Sequence, residues 1–198
     1  VIDAGCRLCE AELQAEFGSP ALADGSPCPL AVCALGKLGG QELGFASDIE
    51  LMFVYEGDGS TTGPRQISNA EYFARLVEQL LRVLSSPREG IFEIDLRLRP
   101  YGRAGSLGVS RPSFAEYFAP DGPAWPFERQ ALVKLRPIAG DLAFSDNLAW
   151  LRDQIVYSGR PFDVAAFRAM RDRQVRQLAS PSRFNAKLSP GGLVDVEY

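Results

Sequence analysis

The stretch from Ile49 to Tyr55 is apolar except at its second position, where Glu50 interrupts it. A run that short and that apolar reads as a strand. Asp48 stands immediately before the run. Strand side chains alternate faces, so Asp48 and Glu50 project the same way at the end where the strand begins. A second apolar run, Leu30 to Leu35, suits another buried strand. The glycine-rich turn Gly36-Lys37-Leu38-Gly39-Gly40 and a short helix, Gly40 to Leu43, join the two.

A third strand is predicted over Ile91 to Leu98, with Phe92, Ile94, Leu96 and Leu98 on one face. Glu93, Asp95, Arg97 and Arg99 take the other face, and Pro100 stops the run. A helix is predicted over Val1 to Phe17, and another starts at Ser68. Ser68 and Glu71 have the spacing of a capping box, and Tyr72, Phe73, Leu76, Leu80, Val83 and Leu84 form the apolar stripe. After Pro100 comes a glycine-rich loop, Tyr101 to Pro112, and then helical stretches near 113–118, 126–135, 141–156 and 163–179. Strands early and helices late predict an α+β chain. Its α/β core is expected over residues 1–112, and a helical extension packed on that core over 113–198.

Composition narrows the function. A net charge of −4 argues against a nonspecific nucleic-acid binder, and no apolar run reaches membrane-spanning length. Histidine is absent, so imidazole chemistry is excluded within this chain. Cys6, Cys9, Cys28 and Cys33 have a spacing superficially like a zinc site. Cys6 and Cys9 share a helix face, however, and Cys33 lies in an apolar strand, so buried free thiols and a reducing, cytoplasmic setting are expected. The chain does not begin with Met, which points to a segment of a longer protein.

The carboxylates point to chemistry. Asp48, Glu50 and Asp95 at one sheet end suit a pair of divalent cations such as Mg²⁺, the arrangement that drives phosphoryl and nucleotidyl transfer. A glycine turn entering a helix can present N–H groups to phosphate oxygens, so Gly39 and Gly40 are expected to bind phosphate, with Ser47 adding a hydroxyl. No Ser or Thr follows Gly36-Lys37, so the turn is not a Walker loop. Asp95, Arg97 and Arg99 share a face by strand parity, and the two arginines would neutralise phosphate charge. Lys134 and Arg136 are candidates to reach the same cleft. The late cluster Arg168, Arg171, Arg173, Arg176, Arg183 and Lys187 reads equally as a docking surface or as a solvated helix face.

Several of these segments carry a family resemblance. Gly36 to Leu43, Ser47-Asp48-Ile49-Glu50-Leu51 and Asp95-Leu96-Arg97-Leu98-Arg99-Pro100 resemble the bacterial glutamine synthetase adenylyltransferase/adenylyl-removing enzymes. Phe127 to Leu132 and Gly191 to Tyr198 extend the match over most of the chain. The resemblance implies a DNA polymerase β-like nucleotidyltransferase fold, a small mixed sheet with helices. It also implies ATP, or phosphate with ADP as product, as small-molecule substrates and Mg²⁺ as the cofactor. Glutamine synthetase would be the protein substrate, with the PII regulatory protein a partner reached through the parent chain. Glu50 stands where the family usually has Asp.

Such enzymes carry one domain that attaches AMP to a tyrosine and one that removes it by phosphorolysis, and a chain of 198 residues has room for one. Glu128 to Leu132 and Asn185 to Leu188 are more similar to the removing domain, and Val194 to Glu197 to the attaching domain, so the direction stays open. Two alternatives stand beside it. One is a nucleotide-sensing or docking module with degraded chemistry, and the other is nucleotidyl transfer to an acceptor such as PII. Gly191 to Tyr198 is expected to hang free where the family runs on into a further helical domain.

Overall fold

A computed structural model describes residues 1–44, 47–84, 93–159, 161, 163–179 and 183–197, the last without its side chain. The chain begins with helix α1 (Ile2–Phe17), then β1 (Pro20–Leu22), β2 (Leu30–Ala34), the short α2 (Gly36–Gly39), β3 (Ile49–Tyr55) and β4 (Gly59–Thr61). Helix α3 (Asn69–Leu84), β5 (Ile94–Asp95), β6 (Gly108–Ser110), α4 (Arg111–Phe118) and α5 (Pro126–Ala131) follow. The chain continues through β7 (Arg136–Gly140), α6 (Leu142–Val156), α7 (Val164–Leu178) and α8 (Leu193–Glu197). The fold is mixed α/β around a small sheet.

Among the described residues that sheet has five strands. β3 lies antiparallel to β2, and β2 antiparallel to β7. β5 runs parallel to the first residues of β3, and β6 parallel to its last. The apolar runs that specify β2 and β3 alternate between two cores. Leu30, Val32, Ala34, Leu51, Phe53 and Tyr55 pack with residues of α1 and α3, including Leu13, Phe17, Phe73 and Leu76. Ala31, Cys33, Met52 and Val54 face the other way, against Phe114, Phe118, Phe144 and Leu148 of α4 and α6. Helices therefore cover both faces, which is why these two strands are apolar at successive positions. β1 and β4 form a separate antiparallel pair.

Helix α3 starts as its cap residues predict, the Ser68 hydroxyl oxygen accepting the Glu71 N–H at 3.1 Å. The reciprocal half of the box is replaced, because the Glu71 carboxylate takes the guanidinium of Arg75 one turn on. Val83 is exposed and leaves the apolar stripe, while Val77 joins it.

Four elements differ from the sequence reading. The short helix read at Gly40–Leu43 falls instead at Gly36–Gly39, and Gln41 takes a left-handed φ of 60°. β5 ends at Asp95 rather than continuing to Leu98, and the predicted residues 91 and 92 lie outside the described residues. The Asp95 side chain accepts the Arg97 N–H at 2.8 Å, a turn that competes with strand pairing. The loop after residue 100 contains β6, and the stretch between two predicted helices forms β7. Pro137 tolerates this place because, among the described residues, β7 pairs with β2 alone, across an irregular register.

The first compact unit consequently runs from Val1 to Ser158, past the residue-112 division read from the sequence, since β7 and α6 pack on β2. The second unit spans Gly159–Tyr198. Within it the Asp163 side chain caps α7 by accepting the Ala166 N–H at 2.9 Å. Buried Arg171 donates to Asp195 and to the carbonyls of Leu188 and Ser189. Gly191 to Glu197 is thereby folded rather than hanging free, and Arg171 leaves the predicted surface cluster. Arg168, Arg173, Arg176, Arg183 and Lys187 are exposed. Among the described residues no helix is long and apolar enough to cross a membrane.

All four cysteines are free thiols and buried. Burial pushes the Cys6 and Cys33 thiols up to about 12 and raises Cys9 and Cys28 as well. The thiolate is the reactive form. The native protein is therefore expected to release almost no chromophore with Ellman's reagent at pH 8, and four equivalents after denaturation. A rapid native equivalent would show that one of these thiols is open to solvent.

Candidate active site

The site grows from the ends of β2 and β3. Leu35 donates its N–H to the Glu50 carbonyl at 2.9 Å, which extends the strand pairing to the point where the chain turns. Gly36 then adopts φ +49°, and a Cβ built there would lie 1.3 Å from Oε2 of Glu50. A glycine is required at this position both for its left-handed backbone and for the carboxylate packed against it. In α2, Gly39 donates to the Leu35 carbonyl at 2.8 Å and Gly40 to the Gly36 carbonyl at 3.0 Å.

The amides expected to hold phosphate are thus used inside the turn. What the glycines supply is proximity: a Cβ on Gly39 would lie 1.9 Å from the carbonyl oxygen of Lys134. Arg136 locks the other end of the turn, donating from Nη2 to the Leu38 carbonyl at 2.8 Å and from Nε to the Gly39 carbonyl at 3.0 Å. A cation on the last carbonyls of a helical turn completes its hydrogen bonding. Lys134 pairs with Glu42 at 2.9 Å. Arg136 and Lys134 therefore reach the glycine turn, which they fasten to the start of β7 and the residues just before it.

Beyond the turn, the Ser47 hydroxyl oxygen accepts the Gly44 N–H at 3.1 Å. Asp48 is exposed, and Glu50 is half-buried. Ile49 donates its N–H to the Glu93 carbonyl at 2.8 Å, and β5 aligns so that Glu50 and Asp95 are direct partners across the parallel pair. The fold thus brings Glu50 and Asp95 side by side and sets Asp48 two residues away on β3's side of the pair.

Asp95 is not open, however. The Nε of Arg97 lies 3.0 Å from its Oδ1 and 2.8 Å from its Oδ2, and Nη2 donates to Oδ2. These bonds hold the Asp95 carboxyl below the usual carboxylate range, against a smaller opposing effect of burial. Arg97 is correspondingly pushed up, first by those hydrogen bonds and then by the charges of Asp95, Asp48 and Glu50. One guanidinium sits in the field of all three acids. Among the described residues no three Asp, Glu, Cys or His side chains are grouped closely enough to hold a metal ion. Asp48, Glu50 and Asp95 are therefore not grouped as a three-ligand site. The donors are still hard carboxylate oxygens, which suit Mg²⁺, and the positive charge they call for is supplied here by Arg97.

Arg99 departs from strand parity. The chain turns at Arg97, and the buried Arg99 guanidinium donates to the carbonyls of Leu96 (2.7 Å), Gly105 (3.1 Å) and Arg103 (3.4 Å). It clamps its own loop rather than facing a ligand. Burial pulls its pKa below the ordinary arginine value, against the charge of Asp95, and the group stays protonated. The 127–132 segment is likewise a structural knot. The Trp125 N–H donates to Glu128 at 2.7 Å, and the Tyr117 hydroxyl donates to the same carboxylate at 3.0 Å. Arg129 donates to the carbonyls of Phe118, Ala119 and Gly122.

Comparison with known proteins gives these features a family. Residues 1–150 match the family model for glutamate-ammonia ligase adenylyltransferase. Over its whole length the chain is 37% identical to the bifunctional glutamine synthetase adenylyltransferase/adenylyl-removing enzyme of Thioalkalivibrio sulfidiphilus, covering 21% of that protein. It is 39% identical over 96% of its length to the equally named protein of Chromobacterium violaceum, again covering 21%. With that of Xanthomonas campestris the identity is 38% over 96% of the chain and 20% of the relative. The chain spans about a fifth of the length of the curated relatives it matches. The family-model match over residues 1–150 and the 37% identity sustained over the whole chain lead to one conclusion: this chain belongs to the glutamate-ammonia ligase adenylyltransferase family.

Proposed function

We propose that this chain is a metal-dependent nucleotidyltransferase domain with a DNA polymerase β-like fold, acting on glutamine synthetase. In that reading it adds AMP from ATP to a tyrosine of the synthetase or removes it by phosphorolysis. The observation that carries the proposal is the register pairing of Glu50 with Asp95, with Asp48 two residues before Glu50 and the glycine turn packed against Glu50. The names of the relatives support the substrate; PII belongs to the proposal only as a partner of the parent protein.

Asp48, Glu50 and Asp95 are the residues that would hold Mg²⁺. Bound there, the cation neutralises phosphate charge and stabilises charge developing at phosphorus. The protein's own groups do the rest. Gly36 keeps the Glu50 carboxylate in place, and Ser47 offers its hydroxyl proton to a phosphate oxygen. Arg97 supplies a guanidinium to phosphate. In attachment, the tyrosine oxygen bonds to the α-phosphorus, pyrophosphate leaves, and a carboxylate oxygen of Asp95 accepts the phenolic proton. In removal, a phosphate oxygen bonds to the phosphorus of the AMP–tyrosine linkage. The phenolate leaves and is protonated, and ADP is the product.

The experiment uses the purified chain with Mg²⁺ and glutamine synthetase in two tubes. One holds unmodified synthetase with α-labelled ATP, the other adenylylated synthetase with phosphate. Label moving to the synthetase identifies attachment, and ADP release identifies removal. Silence in both with nucleotide binding retained would overturn the catalytic reading in favour of a sensing module, a reading that the engagement of Asp95 by Arg97 supports. Label moving only to PII would reassign the acceptor.

A further inference from the structure

We propose that Arg97 is a latch on the metal site: it holds the Asp95 carboxylate while no divalent cation is bound and must release it before the cation can be ligated. The inference rests on the metal-dependent reading above and adds a residue that sets when the site can load.

Three observations carry it. First, the Arg97 fork covers both oxygens of Asp95, with Nε 3.0 Å from Oδ1 and 2.8 Å from Oδ2, while the Arg97 N–H reaches Oδ1 at 2.8 Å. Those bonds occupy lone pairs on both oxygens that a cation shared with Glu50 would need, although β3 and β5 place the two residues in register.

Second, the latch is built to open. The Arg97 side chain is 62% exposed and that of Asp95 16%, so the arginine closes over the acid from the solvent side. An ion pair that open to water is weak and salt-screened. A divalent cation offers twice the charge to hard oxygen donors and can displace it.

Third, opening does not unravel the loop. Arg99, two residues on, is buried and hydrogen-bonded to three backbone carbonyls, so the chain on that side stays anchored. The released guanidinium is tethered beside the carboxylates, where a nucleotide phosphate gives it a new partner. Nucleotide therefore favours the open latch, and by linkage it raises metal affinity by the same factor that metal raises nucleotide affinity.

The test is Mn²⁺ binding to the purified chain, read from the EPR signal of the free ion, with no nucleotide and no turnover. Arg97→Gln is expected to bind Mn²⁺ roughly three- to tenfold more tightly than the wild type. Arg97→Lys, which keeps the charge but loses the fork, is expected to fall between them. Arg103 acts on Asp95 through its charge alone, so Arg103→Gln should gain less than about twofold. Asp95→Asn should weaken binding in both the wild-type and Arg97→Gln backgrounds. Equal affinity in Arg97→Gln and wild type, or equal gains in Arg97→Gln and Arg103→Gln, would overturn the latch while leaving the metal site standing. Mn²⁺ binding untouched by Asp95→Asn and Asp48→Asn would instead sink the metal site itself.

Discussion

Asp48→Asn is expected to lower adenylyl transfer or removal by about a hundred- to a thousandfold while the melting temperature stays level or rises slightly. The size follows from the several kcal/mol of charge stabilisation that a held divalent cation supplies at a phosphoryl centre, at about 1.4 kcal/mol per factor of ten. The stability half of the prediction has a separate cause. Asp48 is exposed and stands near Glu50 and Asp95, all three acids lying in the field of the Arg97 guanidinium that Asp95 alone hydrogen-bonds. Neutralising one of them removes like-charge repulsion and no packing. Functional acids held together at a cost in stability behave this way, whereas a structural aspartate would lose stability along with activity. Activity within about threefold of wild type at saturating Mg²⁺ would remove Asp48 from the proposed machinery.

The parts of the fold that could be read from the sequence are those whose residues carry their own periodicity. β2 and β3 are apolar at successive positions because each faces two cores, and α3 carries both a cap and a stripe. β7 has no such signature. It contains Pro137 and ends at Gly140 with φ +99°, and only its pairing with β2 makes it a strand. Propensity lost there to tertiary pairing. Strand parity failed at Arg97 for a local reason, because the Asp95 side chain captures the Arg97 N–H and turns the chain.

The candidate site divides along the same line. That Asp48, Glu50 and Asp95 converge on one sheet end follows from alternation and strand order. That Asp95 is held by Arg97, and that Arg99 faces backbone carbonyls, depends on rotamers and turn geometry that one-dimensional spacing does not encode. The glycine turn was visible as a turn. Its purpose at Gly36 and Gly39, close approach of a carboxylate and of a neighbouring main chain, needed the fold.

Two glycine substitutions separate those purposes. Gly36→Ala is expected to cost about 1 kcal/mol of stability, since φ +49° places an alanine in the left-handed region. Its larger effect is on chemistry. The new Cβ would sit 1.3 Å from Oε2 of Glu50, and the only yielding partner is that flexible side chain, so the carboxylate must swing out of the site. Misplacing a reacting group by about 1 Å can cost roughly a hundredfold in rate, and a loss of that order is expected. Gly39→Ala should behave oppositely in kind. Its Cβ meets main-chain oxygens of Lys134 and Ala34 at 1.9 and 2.8 Å, which cannot rotate away. Overpacking against backbone costs on the order of 1–3 kcal/mol, so Gly39→Ala should melt several degrees lower. Thermal denaturation and the two-tube assay, run on both variants, read the contrast directly. If Gly36→Ala kept its activity and lost only stability, Glu50 would have no role in the reaction, and the glycine would be there for the turn alone.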